Sequence, residues 1–156
     1  MRILIKISML ILLPACFAGA SNDIMASSRV SAQGLQLQSE RLKIIAQNIA
    51  NAETTASSSA ANPYVRKVLQ VKLKRDGLLG SEMTYVDKVV RDKSDFILRY
   101  YPSHPAADKD GYVKYPNVDQ VLEMADAKEA QRSFEANLSA LEIARSNQAK
   151  ILEALK

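Results

Sequence analysis

From Asn117 to Lys156 the chain contains neither Gly nor Pro. Nothing in that stretch stops a helix, and at about 1.5 Å per residue one helix over it would be roughly 55–60 Å long. That is longer than any core a chain of 156 residues can build. Such a helix must find a partner along its flank. Asn117 follows Pro116 and precedes Asp119 and Gln120, which predicts an N-cap followed by an acid and a loose capping-box partner in the first turn. Phe134, Leu138, Leu141, Leu152 and Leu155 recur at alternating three- and four-residue spacing, with Arg145 and Gln148 in register between them. The helix therefore carries one narrow stripe.

A second stripe lies near the other end. Ile24, Leu35, Leu42, Ile45, Ile49 and Ala52 follow the same alternation, with Ser28, Ser31 and Gln38 filling the remaining positions. Gly34 weakens the middle of this helix by about 1 kcal/mol relative to Ala, and the polar positions cluster in its N-terminal half, which predicts that this half is the looser one. Each stripe needs a partner, and the economical solution is that the two terminal helices pair with each other as an antiparallel coiled coil. Polar seam positions then leave surface for other chains.

Between the helices the text changes. Residues 53–63, ETTASSSAANP, are small and polar and end on Pro63, which reads as a loop or linker. From Tyr64 the period becomes two: Leu69, Val71 and Leu73 alternate with Gln70, Lys72 and Lys74, the pattern of a strand with one face in water. Arg75-Asp76-Gly77 closes it as a turn, and Met83–Val90, Phe96–Tyr101 and Tyr112–Tyr115 are further strand candidates. The expected fold class is α+β: long terminal helices paired as an antiparallel coiled coil, bracketing one small antiparallel sheet. The expected divisions are a signal-like segment over 1–20, an N-terminal helix over 21–55, a β-rich middle over 56–116 and a C-terminal helix over 117–156.

Composition narrows the chemistry. Trp is absent, and Cys16 and His104 are the lone Cys and His, so neither an internal disulfide nor a zinc site built from several Cys and His can form. Of the net charge of +4, Arg2 and Lys6 contribute two, and the densest basic group, Lys67, Lys72, Lys74 and Arg75, is scattered along one short segment. That is not the concentrated basic face that phosphate neutralisation demands, so no nucleic-acid partner is expected. Asp108-Lys109-Asp110-Gly111 begins like a calcium loop, but its Gly is fourth where an EF-hand needs it sixth, and a turn is expected instead. His104 has no second His and no Asp arrangement beside it and reads as a locally bonded loop residue. The five Gly residues are isolated, so there is no phosphate loop. Tyr100, Tyr101, Tyr112 and Tyr115 read as edge packing for a small core rather than a binding platform. No catalytic residue, cofactor, metal or small-molecule substrate is expected.

The opening, MRILIKISMLILLPACFAGA, has a basic start, an apolar stretch from Ile7 to Leu13 and a small-residue close at Ala18-Gly19-Ala20. It reads as a secretory signal with cleavage after Ala20; the apolar run falls short of the roughly 20 residues a membrane span needs. Leu13-Pro14-Ala15-Cys16 also resembles a lipobox, with Pro14 a poor fit, and a start later than Met1 is the third reading.

Three segments together resemble the rod and hook axial proteins of the bacterial flagellum. Ile45-Ala46-Gln47-Asn48-Ile49-Ala50-Asn51-Ala52-Glu53-Thr54-Thr55 is similar to their N-terminal signature. His104-Pro105, then Asp110-Gly111-Tyr112-Val113 and Tyr115-Pro116-Asn117-Val118, looks specific to one proximal-rod member. Arg132-Ser133-Phe134-Glu135-Ala136-Asn137 is close to the family's Arg-x-Tyr-Glu-Ala-Asn, with Phe134 in the aromatic place. Order and spacing match from about Ser21 to Lys156. The resemblance implies a non-enzymatic building block of the proximal rod, the drive shaft that crosses the periplasm and carries motor torque. It implies partners that are further copies of the chain and the rod proteins FlgB, FlgF, FlgG and FliE. With the stripes, it points to Leu42, Ile45, Asn48, Ile49, Asn51, Phe134, Asn137, Leu138, Leu141 and Leu152 as the assembly or core seam. A function of another class, a periplasmic coiled-coil lipoprotein or adaptor, goes with lipidation of Cys16.

Overall fold

The computed structural model describes residues 2–77 and 82–154, with side chains from residue 24 onward. Its elements are α1 (Arg2–Ala50), β1 (Lys67–Arg75), β2 (Glu82–Arg91), β3 (Ile97–Tyr100), β4 (Tyr112–Tyr115) and α2 (Gln120–Ala154). The class is α+β: two long helices pack against each other and bracket a β-rich middle.

The backbone of α1 is helical well before the stripe begins, through the Leu-, Ile- and Ala-rich opening and Pro14, which removes a single backbone donor. The processing of residues 1–20 and the seam role of Leu155 concern side chains outside the described residues. At its other end α1 tightens rather than stopping abruptly. The Asn51 N–H is shared between the carbonyls of Gln47 (3.2 Å) and Asn48 (3.1 Å), and the Ala52 N–H turns to Ile49 O at 3.2 Å, a 3₁₀-type closure that satisfies carbonyls the helix would orphan. Ala52 is buried beyond it, as its place on the stripe requires.

Among the described residues the middle is two separate two-stranded antiparallel sheets, not the single sheet expected. β1 pairs with β2 from Lys67↔Arg91 to Arg75↔Glu82, with a register shift after Gln70 that leaves Asp87 without an opposite residue. β3 pairs with β4 from Ile97↔Tyr115 to Tyr100↔Tyr112. The face alternation of β1 is there, but it is only partly covered: Leu69 is half-buried, whereas Val71 and Leu73 stand in water. Period two identifies which side chains share a face; it carries no information on whether another element lies over that face. Met83 on β2 and Val113 on β4 are the buried anchors of the two sheets.

The β3–β4 connection folds on itself. Asp108 Oδ1 accepts from the N–H groups of Asp110 (2.9 Å) and Tyr112 (2.8 Å), so the Asp-Lys-Asp-Gly segment is an Asx-type turn. Gly111 sits at φ 84°, and a Cβ there would lie 2.9 Å from Tyr100 Cε2 and 3.2 Å from Pro102 Cβ. Gly111→Ala combines a left-handed backbone with a clash and should lower stability by about 1–3 kcal/mol, measured by urea unfolding; an unchanged midpoint would refute the strain argument. Tyr100 and Tyr112 meet edge-on with centroids 5.4 Å apart, and the Arg99 guanidinium stacks 4.3 Å over the Tyr115 ring.

α2 begins three residues later than expected. Asp119, not Asn117, is the cap, with Oδ1 accepting from the N–H groups of Val121 (2.9 Å) and Leu122 (3.2 Å). Asn117 has other partners: its Oδ1 accepts from Arg66 N at 2.8 Å and its Nδ2 donates to Ser94 Oγ at 2.8 Å. Both residues can cap a helix; Asn117 is engaged by Arg66 and Ser94, and Asp119 caps.

Candidate functional site

The seam residues expected from sequence are placed as follows. Ile45, Asn48 and Leu141 are buried; Leu42, Ile49, Asn51, Phe134 and Asn137 are half-buried; Leu138 and Leu152 are 40% and 59% exposed. On α2 the inward row is Glu123, Ala130, Asn137, Leu141 and Ala144, and Ile151 is half-buried beyond it. The periodic stripe and the structure share Phe134 and Leu141 but diverge by one residue elsewhere, where the structure turns Asn137, expected from the family signature, together with Ala144 and Ile151 inward instead of Leu138, Arg145 and Leu152. At the crossing the reason is steric: a Cβ added at Gly34 would lie 2.7 Å from the Asn137 carboxamide, so the helices run close there and Asn137 rather than Leu138 takes the inward place. Leu141 stays in the buried row, while Leu138 and Leu152 are exposed.

At the Ala50 end of α1 the seam closes on a polar cluster. Asn48, 1% exposed, uses every hydrogen-bonding position of its carboxamide: Nδ2 donates to Lys67 O (2.9 Å) and Glu123 Oε2 (3.2 Å), while Oδ1 accepts from Lys67 N (2.9 Å) and Tyr64 OH (2.9 Å). The Glu123 carboxylate, also 1% exposed, accepts from Arg66 Nε at 2.7 Å. Arg66 then reaches Asp92 Oδ2 at 3.2 Å, and the Asp92 N–H donates to Arg66 O at 2.8 Å. Burial would lower the Arg66 pKa, but the hydrogen bond and charge of Glu123, then those of Asp92, outweigh it and raise it. The Ser94 N–H holds Asp92 below the usual carboxylate range, opposed by burial and assisted by Arg66. Burial pushes the Tyr64 hydroxyl pKa up, and the Glu123 charge adds to it. The cluster is a hydrogen-bonded joint between α1, the segment entering β1, and α2, in which the one guanidinium of Arg66 meets both Glu123 and Asp92.

Sequence reasoning missed Arg66, Glu123, Tyr64 and Asp92. Glu123 is detectable only once the inward row is known, because it stands seven residues before Ala130 and fourteen before Asn137. A groove of about 330 Å³ lies beside the joint, between Leu37, Arg41 and Ile44 on one side and Leu69 and Val71 on the other. Along the remaining seam, Ser28 Oγ and Gln38 Oε1 are buried without a hydrogen-bond partner among the described residues. His104 bonds locally, its Nδ1 accepting from Ala106 N at 3.1 Å and its Nε2 lying 3.4 Å from Thr55 Oγ1. Among the described residues no group of three His, Cys, Asp or Glu is placed to hold a metal ion, and no helix is long and apolar enough to cross a membrane.

This arrangement holds the two helices and the segment entering β1 together. The same segments carry the likeness to known proteins. Residues 29–56 match the family described as flagella basal body rod protein, and residues 109–154 match the C-terminal family of the flagellar basal body rod FlgEFG proteins. The chain is 41% identical over 135 residues to the flagellar basal-body rod protein FlgC of Agrobacterium fabrum strain C58, covering 86% of this chain and 97% of that one. It is 35% identical to FlgC of Bacillus subtilis strain 168, with 81% and 95% covered, and 36% identical to FlgC of Salmonella typhimurium strain LT2, with 79% and 91% covered. With both helix signatures present and the alignments spanning most of either partner, the chain belongs to the FlgC family of flagellar basal-body rod proteins and is a structural subunit of the basal-body rod.

Proposed function

We propose that the chain is a proximal-rod subunit that assembles with further copies of itself and with FlgB, FlgF, FlgG and FliE into a helical drive shaft crossing the periplasm, where it transmits torque. In this reading its terminal helices pair as an antiparallel coiled coil, and Leu42, Ile45, Asn48, Ile49, Asn51, Phe134, Asn137 and Leu141 form the seam. The order of contacts supports the pairing: Asn48 meets Glu123, Arg41 lies 3.7 Å from Asp126 and 3.9 Å from Glu129, and Gly34 meets Asn137, so positions descend on α1 as they climb on α2.

One observation carries assembly. α2 spends its inward face on α1 and still presents Val121, Leu122, Met124 and Ile143 at 56–77% exposure, together with Leu138 and Leu152. A monomer gains nothing from apolar side chains held in water along one helix; a subunit packed among others buries them. Contacts of this kind between unlike surfaces, when the rotation does not close a ring, generate a helical tube. Val121→Asp combined with Leu122→Asp should leave the isolated chain folded, with a ΔΔG within about 0.5 kcal/mol, and should abolish swimming when it replaces the natural chain. Circular dichroism and complementation in a deletion strain test it. Normal motility of that variant would refute the assembly role of this face.

A further inference from the structure

Two contacts between the helices are matched in spacing. Gly34 meets Asn137, and Asn48 meets Glu123. Fourteen residues separate Gly34 from Asn48 on α1, and fourteen separate Glu123 from Asn137 on α2. That is two heptads, about 21 Å along either helix. Arg41 lies midway on α1 and Ala130 midway on α2, and the acids that Arg41 approaches, Asp126 and Glu129, lie in the turn leading up to Ala130.

The two ends act by different physics. At one end Asn137 Nδ2 donates to Ser133 O at 2.9 Å, which folds the carboxamide back onto its own helix and over Gly34, where a Cβ would lie 2.7 Å from it and would have to displace it. This is a steric notch. At the other end Asn48 and Arg66 neutralise and satisfy a Glu123 carboxylate that has no access to water. This is a chemical match. Between them the contact discriminates less: Ala130 fits any spacing, Arg41 meets Asp126 and Glu129 only at 3.7 and 3.9 Å from a half-exposed position, and Gln38 Oε1 is buried without a hydrogen-bond partner among the described residues.

We infer that Asn48 and Asn137 are register pins, which select one alignment of the two terminal helices out of those a heptad seam permits. A slip of one heptad in either direction displaces α2 by about 10 Å. It would set Asn137 against Arg41 or Ser27 in place of Gly34 and would remove Glu123 from both Asn48 and Arg66. Because the spacings are equal, both pins engage together or fail together. A polar residue in a coiled-coil seam fixes register at a cost in stability, and here the register sets where Val121, Leu122 and Ile143 stand relative to the β1–β2 sheet. The inference rests on the antiparallel pairing proposed above.

Cross-linking in the full chain tests it, with Cys16→Ser as background. Gln38→Cys with Ser133→Cys reports the native register, and Gln38→Cys with Asp126→Cys or with Ala140→Cys reports a slip of one heptad either way. With both pins present, the native reporter should oxidise at least about tenfold faster than the slip reporters. With Asn48→Leu and Asn137→Leu together, that preference should fall to about threefold or less while helicity by circular dichroism is retained. If the double variant does not fold, Asn137→Ala, which introduces no clash, should still lower the preference measurably. An undiminished preference in a folded pin variant overturns the pins while leaving the antiparallel pairing intact. Failure of all three reporters with both pins present overturns the pairing itself, and the pins with it.

Discussion

Replacing Arg66 by Met should cost about 3–5 kcal/mol of stability, because it leaves the Glu123 carboxylate buried with only the Asn48 amide to meet it. The long apolar chain of Met keeps most of the packing, so the loss reports the missing charge. Adding Glu123→Gln in the same chain should recover more than half of it, since a neutral amide at that place can keep its bond to Asn48. The dependence on acidity has a definite sign. Asp92 is held below the usual carboxylate range, so its contribution is present above about pH 4 and is lost as pH falls through its depressed value. Arg66→Met removes part of that contribution, although the Ser94 N–H bond remains, so the Asp92 share of the deficit is largest near neutral pH and narrows toward pH 3. Urea unfolding of both variants at pH 7 and pH 3.5 measures this. A loss under about 1 kcal/mol for the single variant would show that water or another group replaces the guanidinium.

Ile45→Asp or Leu141→Asp should abolish motility outright. Each puts a carboxylate where the native side chain is buried among apolar groups, at a cost of several kcal/mol. Alanine at the same positions leaves a cavity instead and should cost about 2–4 kcal/mol, with swimming reduced but not lost. The contrast with Val121→Asp and Leu122→Asp separates two roles: seam substitutions lower the unfolding midpoint of the isolated chain, while outward substitutions leave it in place and remove only assembly. Swarm diameters beside unfolding midpoints decide between them. A strain swimming normally with Leu141→Asp would remove this residue from both core and assembly.

The residues themselves determine a good deal of this protein. A Gly- and Pro-free run from Asn117 to the C-terminus can hardly be anything but a long helix, and Leu69, Val71 and Leu73 alternating with Gln70, Lys72 and Lys74 can hardly be anything but a strand. These are properties of neighbours along the chain, where a period of 3.6 or 2 follows from backbone geometry. The signatures around Asn48 and Asn137 were legible in the same way, and they carried the family.

What only the tertiary structure decided is which of several locally equivalent options is used. Leu138 and Leu152 make a better stripe on paper than Asn137, Ala144 and Ile151, yet Asn137 packs over Gly34 and the row of α2 that faces α1 runs through Asn137, Leu141 and Ala144, which leaves Leu138 and Leu152 exposed. Asn117 and Asp119 are both good caps, and the choice falls to Asp119 because Arg66 and Ser94 engage Asn117. Two sheets replace one because strands of the right pattern still have to be brought edge to edge. The joint of Asn48, Arg66 and Glu123 joins residues 75 and 57 positions apart. No local period encodes such a pairing: the free energy of a buried carboxylate depends on what stands within about 3 Å of it in space, and that is settled only when the two helices meet.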